Sequence, residues 1–139
     1  GIVELPDVTE SHVVTNILRR GDRILLLKRS DQVGSYRGRW AGVSGFIEEG
    51  EEDEAAARRE ISEETRQCHP RLVRRIPPES FRNDDRVWTV HAFLFDVPDV
   101  EIEVDWEHDS YEWVRPEDLC GYDTVPGLDV VVRKLLGGV

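Results

Sequence analysis

Apolar positions along the chain alternate between strand-like runs and one helical stripe. Val13-Val14-Thr15-Asn16-Ile17-Leu18 is β-branched and apolar, and Ile24-Leu25-Leu26-Leu27 is apolar throughout. Arg20-Gly21-Asp22 between them is turn chemistry, so residues 12 to 28 read as a hairpin. A polar loop with two glycines follows from Ser30 to Arg39, and Trp40 to Phe46 reads as short extended segments. From about Glu52 to Thr65 the pattern becomes helical, with Ala57 and Ile61 at i, i+4 on the buried flank. Arg71 to Phe81 reads as a strand interrupted by Pro77-Pro78, and Val87 to Val97 as a better one, with Asn83-Asp84-Asp85 as the turn between them. Tyr111 to Val114 is a short strand, Pro116 opens a helical turn, and residues 126 to 136 predict a C-terminal helix. Mixed strands with two helices, without linker or repeat, predict an α/β sandwich in one domain spanning residues 1–139.

The predicted central helix carries the candidate chemistry. Glu60, Glu63 and Glu64 sit at i, i+3 and i+4 and so share one face. Like charges at that spacing repel by roughly 0.2–0.5 kcal/mol per pair, so the cluster needs either solvent or a bound cation. Carboxylate oxygens are the hard ligands Mg2+ takes, and Mg2+ completes its shell with water and substrate phosphate. The face therefore reads as half of a site for metal plus diphosphate, or as a solvated acidic surface in a chain whose formal charge is -11.

The surrounding pattern decides between these. Gly45, Glu51 six residues on, Arg59 eight further on, and then Glu60-Ile61-Ser62-Glu63-Glu64 resemble the Nudix box, G-x5-E-x7-R-E-U-x-E-E-x-G-U with U aliphatic. The resemblance covers most of residues 12 to 119. It departs at the end of the box, where Arg66 and Gln67 replace a glycine and an aliphatic residue. Glycine there usually supplies a left-handed helix cap, so the departure concerns helix termination rather than ligands. Upstream, Val43-Ser44-Gly45 stands where the family commonly has Pro-Gly-Gly.

The resemblance implies a Nudix-type α/β/α sandwich with a central mixed sheet. It also implies a Mg2+-dependent hydrolase, with Mn2+ as a substitute metal, cleaving a diphosphate bond in a nucleoside diphosphate linked to another group. The carboxylates of Glu60, Glu63 and Glu64 and the backbone carbonyl of Ser44 become metal ligands. Glu107, five residues before Glu112-Trp113, becomes a further ligand or base, with His108 and Asp109 as rivals in sequence. Glu63 and Glu107 are the leading candidates for the base. Arg59 orients the site through Glu63 at i+4 on its own helix and through Glu51 across the loop. Arg29, at the end of the second strand, meets substrate phosphate or is a solvated strand end, and Arg37 and Arg39 are substrate contacts or surface charges. Trp40 is a core anchor or a base-stacking platform. His91, inside an apolar strand, reads as a satisfied structural histidine. The alternative function on the same fold is a catalytically silent nucleotide-binding or regulatory domain, against which all the box carboxylates are present. A prenyl diphosphate isomerase would need a catalytic cysteine in a different setting.

Composition narrows the partners. The 139 residues and 39% apolar content suffice for one sizeable core. The acid excess argues against a general nucleic-acid or anionic-membrane surface, because phosphate backbones reward positive patches. A small anionic substrate must instead be met by local arginines and a divalent metal. Lys28 and Lys134 are the only lysines, which with the acidity fits a GC-rich genome or a saline cytoplasm equally. No stretch approaches the roughly 20 apolar residues of a membrane span, and Gly1-Ile2-Val3-Glu4-Leu5-Pro6 lacks the build of a signal peptide, so the cytosol is expected. Cys68 and Cys120 read as ordinary thiols. A homodimer is compatible with all of this.

Overall fold

Strands buried on both faces need apolar residues at consecutive positions rather than alternate ones, and the three central strands here have them. In the computed structural model, β1 (Thr9–Arg20), β2 (Arg23–Arg29) and β7 (Arg86–Asp96) form the middle of a mixed sheet. The structure describes residues 9–137 except Ser35, Cys68, Asp84 and Val100. The expectations for the N-terminal six residues, the Cys68 thiol and Asp84 therefore lie outside the described residues.

Period-2 geometry sends successive side chains of these strands to opposite faces. Val14, Leu18, Leu25, Leu27, Phe93 and Phe95 pack with Ala56, Ala57 and Ile61 of α1 (Asp53–Thr65). Ile17, Ile24, Leu26, Ala92 and Leu94 pack on the other side with Leu128, Val132 and Leu135 of α2 (Leu128–Leu135). The result is an α/β/α sandwich with a mixed sheet, as the sequence predicts.

β1 runs parallel to β7 over its whole length, from Thr9↔Arg86 to Arg19↔Asp96. The remaining strands are β3 (Trp40–Ala41), β4 (Val43–Phe46), β5 (Arg71–Arg75), β6 (Glu79–Asn83) and β8 (His108–Val114). The proline pair at 77 and 78 separates β5 from β6, both antiparallel to β7. The expected hairpin over 12–28 is real only at its tip. β1 and β2 pair at Arg19↔Ile24 and Arg20↔Arg23, and farther along the same edge of β1 is taken by β4 at Val13↔Phe46 through Asn16↔Val43. This splaying matters for the site, because it brings β4, and with it Gly45, against α1.

Asn16, fully buried on β1, donates from Nδ2 to the Ala57 carbonyl of α1 at 3.2 Å, tying the helix to the sheet. Helix α1 ends without glycine. Arg66 takes the left-handed geometry at φ 63° and its N–H bonds the Ser62 carbonyl, while Thr65 Oγ1 donates to the Ile61 carbonyl at 2.6 Å. A 3-10 turn at Pro116–Gly121 precedes α2.

Candidate active site

Arg59 organises the exposed side of the box helix. Its Nε and Nη2 reach the two Glu51 oxygens at 2.8 and 2.9 Å, its Nη1 reaches Glu60 at 2.8 Å and Glu63 at 3.3 Å, and Nη2 also donates to the Phe46 carbonyl at 3.1 Å. Bidentate guanidinium–carboxylate pairs fix orientation as well as charge. The pairing holds the Glu51 carboxyl down at about 2, through the hydrogen bond from Arg59 first and a backbone bond next, and raises the arginine. The loop from Gly45 to Glu52 is thereby clamped onto α1.

Glu60 lies directly over Gly45. A Cβ built at Gly45 would stand 2.3 Å from the Glu60 carboxyl carbon, so the space glycine leaves is filled by a carboxylate. One turn on, Glu64 is almost wholly enclosed, its side chain 3% exposed, and its Oε2 has no hydrogen-bond partner. Burial first, then the close carboxylate of Glu60 and the charges of Glu107 and Asp105, push the Glu64 carboxyl well above its ordinary range. Glu63, by contrast, is 57% exposed and turned toward Arg59.

The opposite wall is the turn into β8. Glu107 is partly buried, and desolvation, with Asp105, Glu60 and Glu63 as like charges, pushes its carboxyl up, while Arg29 pulls it down. Glu107 and Arg29 therefore stand within electrostatic reach of each other and of the box carboxylates. Ser30 pins this turn, its N–H donating to the Glu107 carbonyl at 2.8 Å and its Oγ to the Trp106 carbonyl at 2.9 Å. His108 is buried beside Glu64, with Nε2 3.5 Å from Glu64 Oε1 and Nδ1 2.9 Å from Asp105 Oδ1.

Of the residues singled out in the sequence, Arg59, Glu60, Glu63, Glu64, Glu107 and Arg29 are thus gathered on the α1 side of the sheet. Ser44 neighbours them on β4, opposite Thr15. Three others make bonds or packing contacts within the protein, Arg37 and Arg39 in a loop bonded to Arg29 through Gly38 and Arg39. Arg37 is exposed and donates to the Val33 carbonyl at 2.7 Å. Arg39 reaches the Thr124 carbonyl. Trp40 packs with the α2-side core, edge-on to Tyr122, across the sheet from the glutamates. His91 accepts and donates within a chain of contacts to Asp53 and His12, each at 3.0 Å, a structural role. In the sequence His108 stands only as a rival of Glu107 for the ligand or base, and Asp105 carries no motif position. The i, i+3 spacing of Asp105 and His108 was the available signal.

Among the described residues no group of three or more His, Cys, Asp or Glu side chains is already gathered as a metal cage. Mg2+ does not require one, since it is usually held by one or two carboxylates together with water and substrate phosphates. An orphaned, buried carboxylate oxygen on Glu64 beside the Glu60 carboxylate is a donor set that fits a hard divalent cation.

Comparisons with known proteins show the family to which the chain belongs. A family model for the NUDIX domain matches residues 10–135. Proteins named nucleoside triphosphatase NudI, from Escherichia coli (strain SE11) and Shigella flexneri, are 34% identical over 136 residues, covering 89% of this chain and 92% of theirs. Among solved structures, the E. coli ORF135 protein superposes with a TM-score of 0.76 at 24% identity, covering 97% of this chain and 94% of that one. The MutT protein from Methanosarcina mazei Go1 gives 0.71 at 23% identity, covering 96% and 94%. The structural likenesses speak for the fold alone, but the family match and the 34% identity reach further: the chain belongs to the Nudix hydrolases, pyrophosphatases acting on phosphorus-containing anhydrides.

Proposed function

We propose that the protein is a Mg2+-dependent hydrolase of a diphosphate bond in a nucleoside diphosphate linked to a further group, with Mn2+ able to replace Mg2+. The observation that carries this is the Glu60–Glu64 pair. One carboxylate is seated in the space left by Gly45, and the other is buried with a free oxygen, a costly arrangement without a cation to serve. The name of the NudI relatives supports nucleoside triphosphates as the first substrates to try, the further group then being a phosphate.

In this reading Glu60 and Glu64 would hold the metal, joined by Glu63 and the Ser44 carbonyl. A bound divalent cation would neutralise charge on the diphosphate and acidify a water. Glu107 or Glu63 takes a proton from the attacking water as it approaches phosphorus in line. Glu107 has the stronger claim, because its carboxyl is raised by burial and lies within electrostatic reach of Glu60 and Glu63, whereas Glu63 is occupied by Arg59. Arg29 supplies positive charge on the substrate side. Arg59 touches no reacting atom and acts by holding Glu51, Glu60 and Glu63 in place. Small nucleotides in the cytosol are the proposed setting, and the single-domain organisation over residues 1–139 belongs to the same reading.

The test is a phosphate- and pyrophosphate-release assay over nucleoside triphosphates, nucleotide sugars, dinucleotides and capped RNA, with Mg2+, with excess chelator, and with Glu64→Gln. Turnover that needs Mg2+ and falls at least about 100-fold in Glu64→Gln is expected, since metal-assisted charge stabilisation contributes several kcal/mol. Full activity in chelator or in the variant would sink the hydrolase mechanism, and nucleotide binding without turnover would favour a silent binding domain.

A further inference from the structure

Strand β8 departs from regular pairing where it meets the site. Leu27 pairs Tyr111 and Lys28 pairs Ser110, but Arg29 then pairs His108 rather than Asp109, so Asp109 is passed over by a bulge. Tyr111 and Trp113 pack on the α1-side core, and simple alternation would send Asp109 to that side and His108 away from it. The bulge reverses this: His108 is buried with its side chain 1% exposed, and Asp109 is exposed. Bulges commonly re-aim a side chain beside an active site.

The re-aimed imidazole bridges two carboxylates. Its Nδ1 is 2.9 Å from Asp105 Oδ1 and its Nε2 is 3.5 Å from Glu64 Oε1. Asp105 fixes the ring plane, and the Asp105–His108 turn is itself closed by the His108 N–H on the Asp105 carbonyl and anchored through Ser30. Because Oε1 of Glu64 faces the imidazole, the carboxylate plane is set and Oε2, which has no partner, is the oxygen left for a ligand.

Resting on the metal-dependent reading above, we propose that His108 is a positioning residue, backed by Asp105, that fixes the Glu64 carboxylate so that Oε2 is presented to the metal. It does not touch substrate. The 3.5 Å contact of Nε2 with Oε1 packs the imidazole edge against the Glu64 carboxylate and limits how that carboxylate can turn. Partners that orient a ligating carboxylate typically affect metal affinity or activity by about 10- to 100-fold.

Calorimetric titration of the metal-free protein with Mn2+ alone, alongside kcat, KM and Tm, tests this with His108→Leu, His108→Gln, Asp105→Ala and Glu64→Gln. His108→Leu is expected to weaken Mn2+ binding by at least about 10-fold, with the loss of turnover appearing in kcat rather than KM. His108→Gln, whose amide nitrogen can take the place of Nε2, should recover most of both. Should His108→Leu fail to fold, Asp105→Ala decides, since it leaves the buried ring in place and is expected to weaken Mn2+ binding by roughly 5-fold or more on the same grounds. Wild-type Mn2+ affinity in a folded His108→Leu, or in Asp105→Ala, while Glu64→Gln has lost binding, would overturn the positioning role alone. Wild-type affinity in Glu64→Gln would instead remove the metal reading on which it depends.

Discussion

Replacing Glu64 by glutamine should make the metal-free protein more stable while abolishing its proposed work. In the folded state the Glu64 carboxyl is nearly inaccessible, its Oε2 is unpaired, and Glu60, Glu107 and Asp105 add like charge around it. A buried polar group without a partner costs about 1–3 kcal/mol, and more when charged. Glutamine keeps the shape and the buried polar atoms and removes the charge, so the gain is the excess cost of the charge, of similar size at about 1–3 kcal/mol. Unfolding entropy near 2.1 cal/mol/K per residue gives a 139-residue chain about 0.3 kcal/mol per degree, so the gain corresponds to a rise in Tm of roughly 3–10 °C.

The assay is thermal unfolding of both proteins in chelator and in Mg2+, from pH 4 to pH 8. Burial and its acidic neighbours raise the folded-state pKa of Glu64 above the unfolded value. Below the unfolded pKa both states hold the proton and the two proteins should coincide. As the pH rises from the unfolded value through the folded one, the wild type progressively loses stability that the glutamine variant keeps, so the gap widens toward pH 8. Added Mg2+ at ten times its Kd returns about 1.4 kcal/mol to the wild type and little to the variant, so the gap narrows. A variant no more stable than wild type in chelator at pH 8, or one stabilised by Mg2+ to the same extent, would refute the reasoning.

Three further outcomes are expected. Gly45→Ala places a Cβ into the Glu60 carboxylate, and because that carboxylate is the end of a flexible side chain the fold should survive, with Tm near wild type and Mg2+ affinity reduced. Full affinity would show that Glu60 need not lie there. Arg66→Gly should leave stability unchanged or raise it by up to about 1.6 kcal/mol, since relief of the left-handed strain, roughly 1–2 kcal/mol, is partly offset by the freer unfolded chain, about 0.4–1 kcal/mol. A clear fall in Tm would reveal a structural role for the arginine side chain. Glu107→Gln should lower kcat at saturating substrate by about 100-fold or more if it is the base, and Asp109→Asn, at the exposed bulge, should do much less. The reverse order would defeat the assignment.

The fold was legible wherever burial on two faces leaves a local mark. Ile24–Leu27 and, within Val87–Val97, the run Ala92–Phe95 identify central strands because a strand buried on both faces is apolar at consecutive positions, and Pro77-Pro78 divides β5 from β6 for a reason carried by the prolines themselves. The hairpin was legible only at Gly21, the left-handed turn residue at φ 59°. Beyond the tip, β1 takes β4 and β7 as partners, and nothing in residues 12–28 encodes a choice made by segments 20 to 80 residues away. Likewise β8 begins at His108 rather than Tyr111, because His108-Asp109-Ser110 is polar and joins the sheet only through its pairing with β2.

In the site, helical spacing correctly groups Glu60, Glu63 and Glu64 on one face, but depth is a tertiary property. Three glutamates equivalent by spacing become three different groups: Glu60 seated over Gly45, Glu63 open to solvent beside Arg59, and Glu64 enclosed under the β8 turn. That inequality assigns them different work. The exposed member can be traded without harm to the fold, whereas the enclosed one is unstable as a charge unless something cationic joins it. The bulge at Asp109 acts in the same way on the facing wall. It takes a sequence in which histidine and aspartate are neighbours and equivalent rivals, and gives the histidine the buried position against Glu64 and the aspartate the solvent. A single slip of strand register would exchange them, which is why an imidazole aimed at a ligand carboxylate could not be inferred from the order of residues alone.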